Sequence, residues 1–205
     1  MSVAGRDADL SVEKLGAGDT ATAETTLPLA PAELHDFLVD CELLFRLNPL
    51  YAIESWAPEA EGFRLAAHNE SNDRRIETAV RIERTGTALL LHYASGLKQA
   101  TRFGVDPASA GARLVVTEHY PRIDDPQDPR VVEVDKSLVP WVAALRRHLL
   151  ARRRWGWLPG WHWWHERFMT GMFPRQRRIV RLLIWISAFE FAVFLGLVLV
   201  LRFSA

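Results

Sequence analysis

The sequence predicts an α+β fold: a curved antiparallel sheet closed by a long helix, then a membrane-spanning helix at the carboxyl end. Three observations predict it. Residues 50–122 fall into six stretches of alternating apolar and polar residues, each bounded by Gly, Pro, Asn or Asp. Residues 129–155 then carry apolar side chains at helical spacing, including Val131, Val134, Leu138, Trp141, Leu145 and Leu149. Finally, LLIWISAFEFAVFLGLVLVL at 182–201 is apolar all round except for Glu190.

Each element follows from its residues. TATAETTLPL at 20–29 alternates and is threonine-rich, which suits a strand. APAELHDFLVDCELLFRLNP at 30–49 predicts two short helices. Pro31 fits a first helical turn, Asp40 is placed to break and recap the helix, and Asn48-Pro49 ends it. The strands follow as LYAIESWAP, EGFRLAAHNES, RRIETAVRIERTG, TALLLHYASG, LKQATRFGVDP and GARLVVTEHYPR. Short links between consecutive strands imply antiparallel neighbours. In the long helix Pro140 is expected to produce a kink.

The chain has 205 residues and one cysteine, Cys41, so no disulfide framework is available and a reducing compartment fits. The formal charge of zero conceals a division. Residues 1–139 carry a net −9 and residues 140–181 a net +9. The basic block calls for an anionic partner, and the apolar run beside it selects a membrane surface over nucleic acid. At about 1.5 Å per residue, 20 apolar residues cross about 30 Å of hydrocarbon. With the arginines before the span and only Arg-Phe-Ser-Ala after it, the positive-inside rule puts the large amino-terminal part in the cytoplasm, in a tail-anchored, single-pass arrangement. The start shows no apolar signal segment and predicts a disordered leader over 1–18, followed by a domain at 19–154, a neck at 155–181 and the span at 182–201.

The neck contains WGWLPGWHWW at 155–164. Tryptophan favours the headgroup zone, so Trp155, Trp157, Trp161, Trp163 and Trp164 are expected at the membrane interface with Arg177, Arg178 and Arg181. Residues 161–174 would form an interfacial helix carrying Phe168, Met169, Met172 and Phe173. A tryptophan-rich lid over a pocket is the rival arrangement. His162, His165 and Glu166 are too few for a zinc site without further ligands, so no metal and no other cofactor is expected. Glu190 within the span suggests a membrane-protein partner or self-association.

By alternation the inward-facing set includes Phe63, Leu65, Ile76, Thr78, Val80, Leu91, Tyr93, Phe103, Val116, Glu118 and Tyr120, with Leu138 and Trp141 from the helix. These are the candidate ligand-binding residues, and a filled core is the competing outcome. His92 and His119, on the opposite parity, are expected to face solvent. Glu118 and Tyr93 are the best candidates for catalysis, because a buried carboxyl has its pKa raised and can act as a general acid. No G-x-S-x-G, P-loop, dinucleotide fingerprint, HExxH or CxxC is present, so whether the protein is an enzyme stays open.

The order of elements resembles the helix-grip fold of the START/Bet v1-like superfamily, which includes polyketide cyclases and lipid-transfer proteins. LPLAPAELHDFLVDCELLFRLNP at 27–49 is similar to its first strand and helix pair, and SLVPWVAALRRHLL at 137–150 to its closing helix. The resemblance covers about residues 20–152 and carries no catalytic signature. It implies a binding or transfer module for a hydrophobic small molecule or lipid. A cyclase or dehydratase, or a scaffold acting through its membrane helix, are the alternatives.

Overall fold

The computed structural model describes residues 18–204 except Thr87 and Pro126, so the expected leader at 1–18 lies, apart from Gly18, outside the described residues. Strand β1 (Asp19–Leu27) leads into helices α1 (Pro31–Leu38) and α2 (Cys41–Arg46). Pro31 sits in the first turn of α1, and the Asp40 carboxylate caps α2 by accepting from the Leu43 N–H at 2.9 Å. Six strands follow: β2 (Tyr51–Glu59), β3 (Gly62–Asn69), β4 (Arg74–Thr85), β5 (Ala88–Tyr93), β6 (Ala100–Ala108) and β7 (Gly111–Tyr120). They form one seven-stranded antiparallel sheet with β1 joined at the far end, in the order β1-β7-β6-β5-β4-β3-β2. Pairing β1 with β7 brings the start of the chain beside the strand that precedes the closing helix. The β6–β7 turn needs Gly111: its φ is +127°, and a Cβ there would lie 2.3 Å from the Leu27 carbonyl oxygen.

Helix α3 (Leu138–Trp155) closes the sheet. It begins later than the periodicity suggests. Residues 129–133 form a short 3₁₀ turn in which Val131 and Val132 are exposed, so the apolar stripe of the long helix starts at Leu138. Pro140 therefore lies in the first turn of α3, where its missing N–H costs nothing, and produces no kink. The 134–137 link instead carries Asp135 inward.

The centre of the grip is filled. Trp141 is fully buried, donates its indole N–H to the Leu44 carbonyl at 2.8 Å, and packs edge-on against Phe103 and beside Phe45 and Tyr51. Phe63, Leu65, Val80, Leu91, Phe103, Leu114 and Val116 all point into this core. One parity expectation fails. His119 lies on the outer face yet is buried, and burial, followed by Arg102 and His92, lowers its pKa.

The carboxyl-terminal part is a π-helical turn (Trp163–Phe168) and then helix α4 (Pro174–Ser204). Its apolar stretch has a mean hydropathy of 2.4 and is not covered by the other described residues; α4 is long and apolar enough to cross a membrane.

Candidate functional site

A cavity of about 330 Å³ lies at one end of the grip, where the β3–β4 turn, the 94–99 link between β5 and β6, and the 134–137 link meet. Leu65, Ile76, Leu97, Tyr51, Tyr93 and Tyr120 supply apolar and aromatic wall, and Asn69, Lys98 and Asp135 supply polar atoms. Arg74, Arg75, Glu77 and Glu133 also line it.

The polar atoms form one network around Lys98. Its ammonium donates to Glu118 and, at 2.6 Å, to Asp135. Asp135 is the better supplied carboxylate: Oδ2 also accepts from the Tyr51 hydroxyl at 2.5 Å. Oδ1 accepts from Asn69 at 3.1 Å, from Ser71 at 3.2 Å and from the Ser137 backbone N–H at 2.8 Å. Glu118 Oε2 accepts from the Tyr120 hydroxyl at 2.6 Å. The ammonium also stands 5.8 Å from the ring centres of Tyr51 and Tyr93.

The difference in donors sets the difference in acidity. Burial pushes Asp135 up, but Lys98, Tyr51 and Ser137 outweigh it and hold its carboxyl well below the usual range. For Glu118, burial dominates, Asp135 adds to it, and Lys98 and Tyr120 only partly offset it, so the carboxyl is raised. Burial also opposes the charge on Lys98, but Tyr51, Glu118 and Asp135 together raise its pKa well above that of a free amine. Lys98 is thus a fixed cation and not a nucleophilic amine. Burial pushes the Tyr93 phenol up to about 12, and the phenol pairs with Thr101 at 3.0 Å.

Of the residues singled out from sequence, Leu65, Ile76, Tyr93 and Tyr120 line the cavity, and Glu118 lies behind Lys98. Thr78 binds the 94–99 link, its hydroxyl accepting from the Ser95 N–H at 3.2 Å. Phe63, Val80, Leu91, Phe103, Val116, Leu138 and Trp141 belong to the filled core. Alternation alone misses Lys98, Asp135, Tyr51 and Asn69. Lys98 is the one charged residue in SGLKQA, and Asp135 lies in a segment whose periodicity suggested helix, so neither signalled a pocket.

In the neck, Trp155, Trp157 and Trp163 are exposed and Trp164 is half-buried, whereas Trp161 is buried and stacks on His165 beside His148 of α3. Trp161 and the equally buried Met169 pack on protein, which corrects their assignment to the interface. Arg177 is buried as well: it donates to the Met172 carbonyl at 2.9 Å and to the Arg46 carbonyl at 2.6 Å, tying α4 to α2. Arg178 pairs with Glu70 at 2.9 Å, and Arg181 is exposed. His162 and Glu166 approach to 3.1 Å. Among the described residues no three or more His, Cys, Asp or Glu are grouped to hold a metal.

The domain has the START-type helix-grip fold. A START superfamily protein from Mycobacterium smegmatis superposes with a TM-score of 0.50 at 15% identity, covering 65% of this chain and 98% of its own. A protein from Thermus thermophilus superposes with a TM-score of 0.50 at 17% identity, with the same 65% and 98% coverage. Neither a family model nor a curated protein matches the sequence. The START-like likeness thus lies in the architecture, and α4 is long and apolar enough to reach into a bilayer from it.

Proposed function

We propose that this protein is a membrane-tethered binding or transfer module for a small hydrophobic molecule that carries one polar group. The cavity beside the Lys98–Glu118–Asp135 network carries this reading. Its volume of about 330 Å³ is at the small end for ligand pockets, and the rest of the grip is filled by Trp141 and its aromatic neighbours. A ring-sized ligand therefore suits it better than a long-chain lipid. Leu65, Ile76 and the tyrosine rings would receive the apolar body, and Asn72, whose buried Oδ1 has no hydrogen-bond partner among the described residues, would accept from its polar group. Helix α4 would hold the domain at the bilayer, and the arginines on its amino-terminal side favour the cytoplasmic face.

The test uses full-length protein purified in detergent, incubated with an organic extract of host membranes, repurified and analysed by mass spectrometry. A small amphiphile is expected to be retained, and Ile76→Trp, which fills the cavity, is expected to lose it. Protein that stays empty after every extract would overturn the binding reading.

A second reading has its own support. Glu118 is a fully buried, raised carboxyl that accepts from the hydroxyl of Tyr120, which lines the cavity, so a proton could pass between Glu118 and a bound compound through Tyr120 in a cyclase- or dehydratase-type reaction. Under it, a retained compound is converted to product, and Glu118→Gln keeps binding but loses turnover. Unchanged compound from wild-type protein would reject catalysis and leave the carrier.

A further inference from the structure

A second cavity, of about 450 Å³, lies between α3 and the start of α4. Two helical stripes face each other across it. Helix α3 presents Ala144, Arg147, His148 and Ala151, and α4 presents Pro174, Arg177, Arg178 and Arg181, each set at spacing i, i+3, i+4, i+7. The alanines are too short to fill the space under the guanidinium groups. His165, Leu47, Pro49, Met169 and Thr170 complete the wall, and no carboxylate lines it.

Among the described residues the positive charge in this cleft is only partly balanced. Arg178 has Glu70, but Arg147 and Arg181 form no ion pair among the described residues. Arg177 is held by carbonyls alone, and burial followed by repulsion from Arg181 and Arg46 pushes it down to about 10. His148 is 92% buried, yet its Nε2 has no hydrogen bond; Glu166 stands 3.4 Å away without the alignment for one. Four arginines around an open, acid-free space form a receptor for a multiply charged oxyanion, which guanidinium groups bind in bidentate fashion.

Its position selects the source of that anion. Arg181 directly precedes Leu182, where the apolar run begins, so the cleft opens at the height of the lipid phosphates if α4 spans the bilayer. We propose that the cleft between α3 and α4 binds the phosphate of an anionic phospholipid headgroup. This rests on the membrane-tether reading, and is separate from the cavity at Lys98. Bound there, the headgroup bridges the closing helix to the anchor and fixes the domain's tilt on the membrane.

The experiment compares wild-type protein with Arg147→Gln/Arg181→Gln, both full-length and in nanodiscs of phosphatidylcholine with a minor share of phosphatidylglycerol. Native mass spectrometry after release counts the lipids retained. Wild type is expected to keep phosphatidylglycerol over phosphatidylcholine, and the double variant to lose that preference by roughly thirtyfold, two surface cations being removed. Both proteins should stay in the membrane fraction, because the apolar span is untouched. Equal retention of the two lipids by wild type, or an undiminished preference in the variant, would overturn the cleft while leaving the tether standing. Displacement of the lipid by millimolar inorganic phosphate would assign the site to a free anion and overturn the lipid source. Release of wild type from membranes without detergent would overturn the tether itself.

Discussion

The two cavities handle charge in opposite ways. At Lys98 a cation lies between two carboxylates, and five donors converge on Asp135, so Lys98, Glu118 and Asp135 all have charged partners inside the protein. Between α3 and α4, arginines face each other with no acid in the wall. Burial raises the cost of an unpaired charge, and the deep site is accordingly closed on itself, while the exposed site leaves its charges for an external partner. The deep network should then matter chiefly to stability and ligand polarity, and the basic cleft chiefly to what the protein meets.

The largest expected effect follows from removing the deep cation. Lys98→Met leaves Glu118 and Asp135 buried together with no counter-charge, and should cost about 3–5 kcal/mol. Thermal or urea unfolding of the full chain in detergent, followed by tryptophan fluorescence, measures it. Arg147→Gln/Arg181→Gln, by contrast, should leave the transition within about 0.5 kcal/mol of wild type. Similar losses from both variants would erase the distinction between the two sites.

The next effect sharpens the comparison through pH. Burial, with Arg152 and His165 adding to it against the opposing pull of Glu166, lowers His148 from 6.5 to about 4. The unfolded chain therefore takes up a proton there first. The folded state keeps its full advantage above pH 6.5 and loses it as pH falls towards 4, by on the order of 1–3 kcal/mol. Glu118, raised, works in the opposite sense, and Asp135, depressed, loses its contribution only at lower pH. The readout is thus the difference between wild type and His148→Phe across pH 4–6.5, where the variant should show the shallower slope. Parallel slopes would mean that His148 is not held neutral.

Much of this was legible in the residues. Period-two patterning and turn residues located all seven strands, and Pro31 and Asp40 marked the helix pair, because local sterics and capping decide those features. The start of α3 was not, since Val131 and Val134 continue a helical spacing by coincidence while Asp135 is drawn into a tertiary network 37 to 84 residues away in sequence. Parity put Glu118 and Tyr120 on the inner face but could not tell a cavity wall from filled core. That depends on the bulk of Trp141 and Phe45 across the sheet, a three-dimensional property. The burial of Trp161 and Arg177 was hidden for the same reason: tryptophan and arginine beside an apolar run look alike whether they meet lipid or α3 and α2.

The smallest expected effect concerns the joint between the two regions. Arg178 reaches Glu70 at 2.9 Å, and the neighbouring Asn69 and Ser71 both hydrogen-bond to Asp135. Helix α4 is thereby attached to the turn that borders the Lys98 cavity. The guanidinium is more than half exposed, so screening limits the pair, and Arg178→Gln should cost less than about 1 kcal/mol of stability. Arg177→Gln should cost more, about 1–3 kcal/mol, because it leaves the Arg46 and Met172 carbonyls without their charged donor in a buried place. If the turn does relay anchor position to the cavity, Arg178→Gln should also shift ligand affinity in bilayers and not in detergent, where α4 is free to adjust. Equal affinities in both settings would reduce the Arg178–Glu70 pair to a surface contact and leave the two cavities independent.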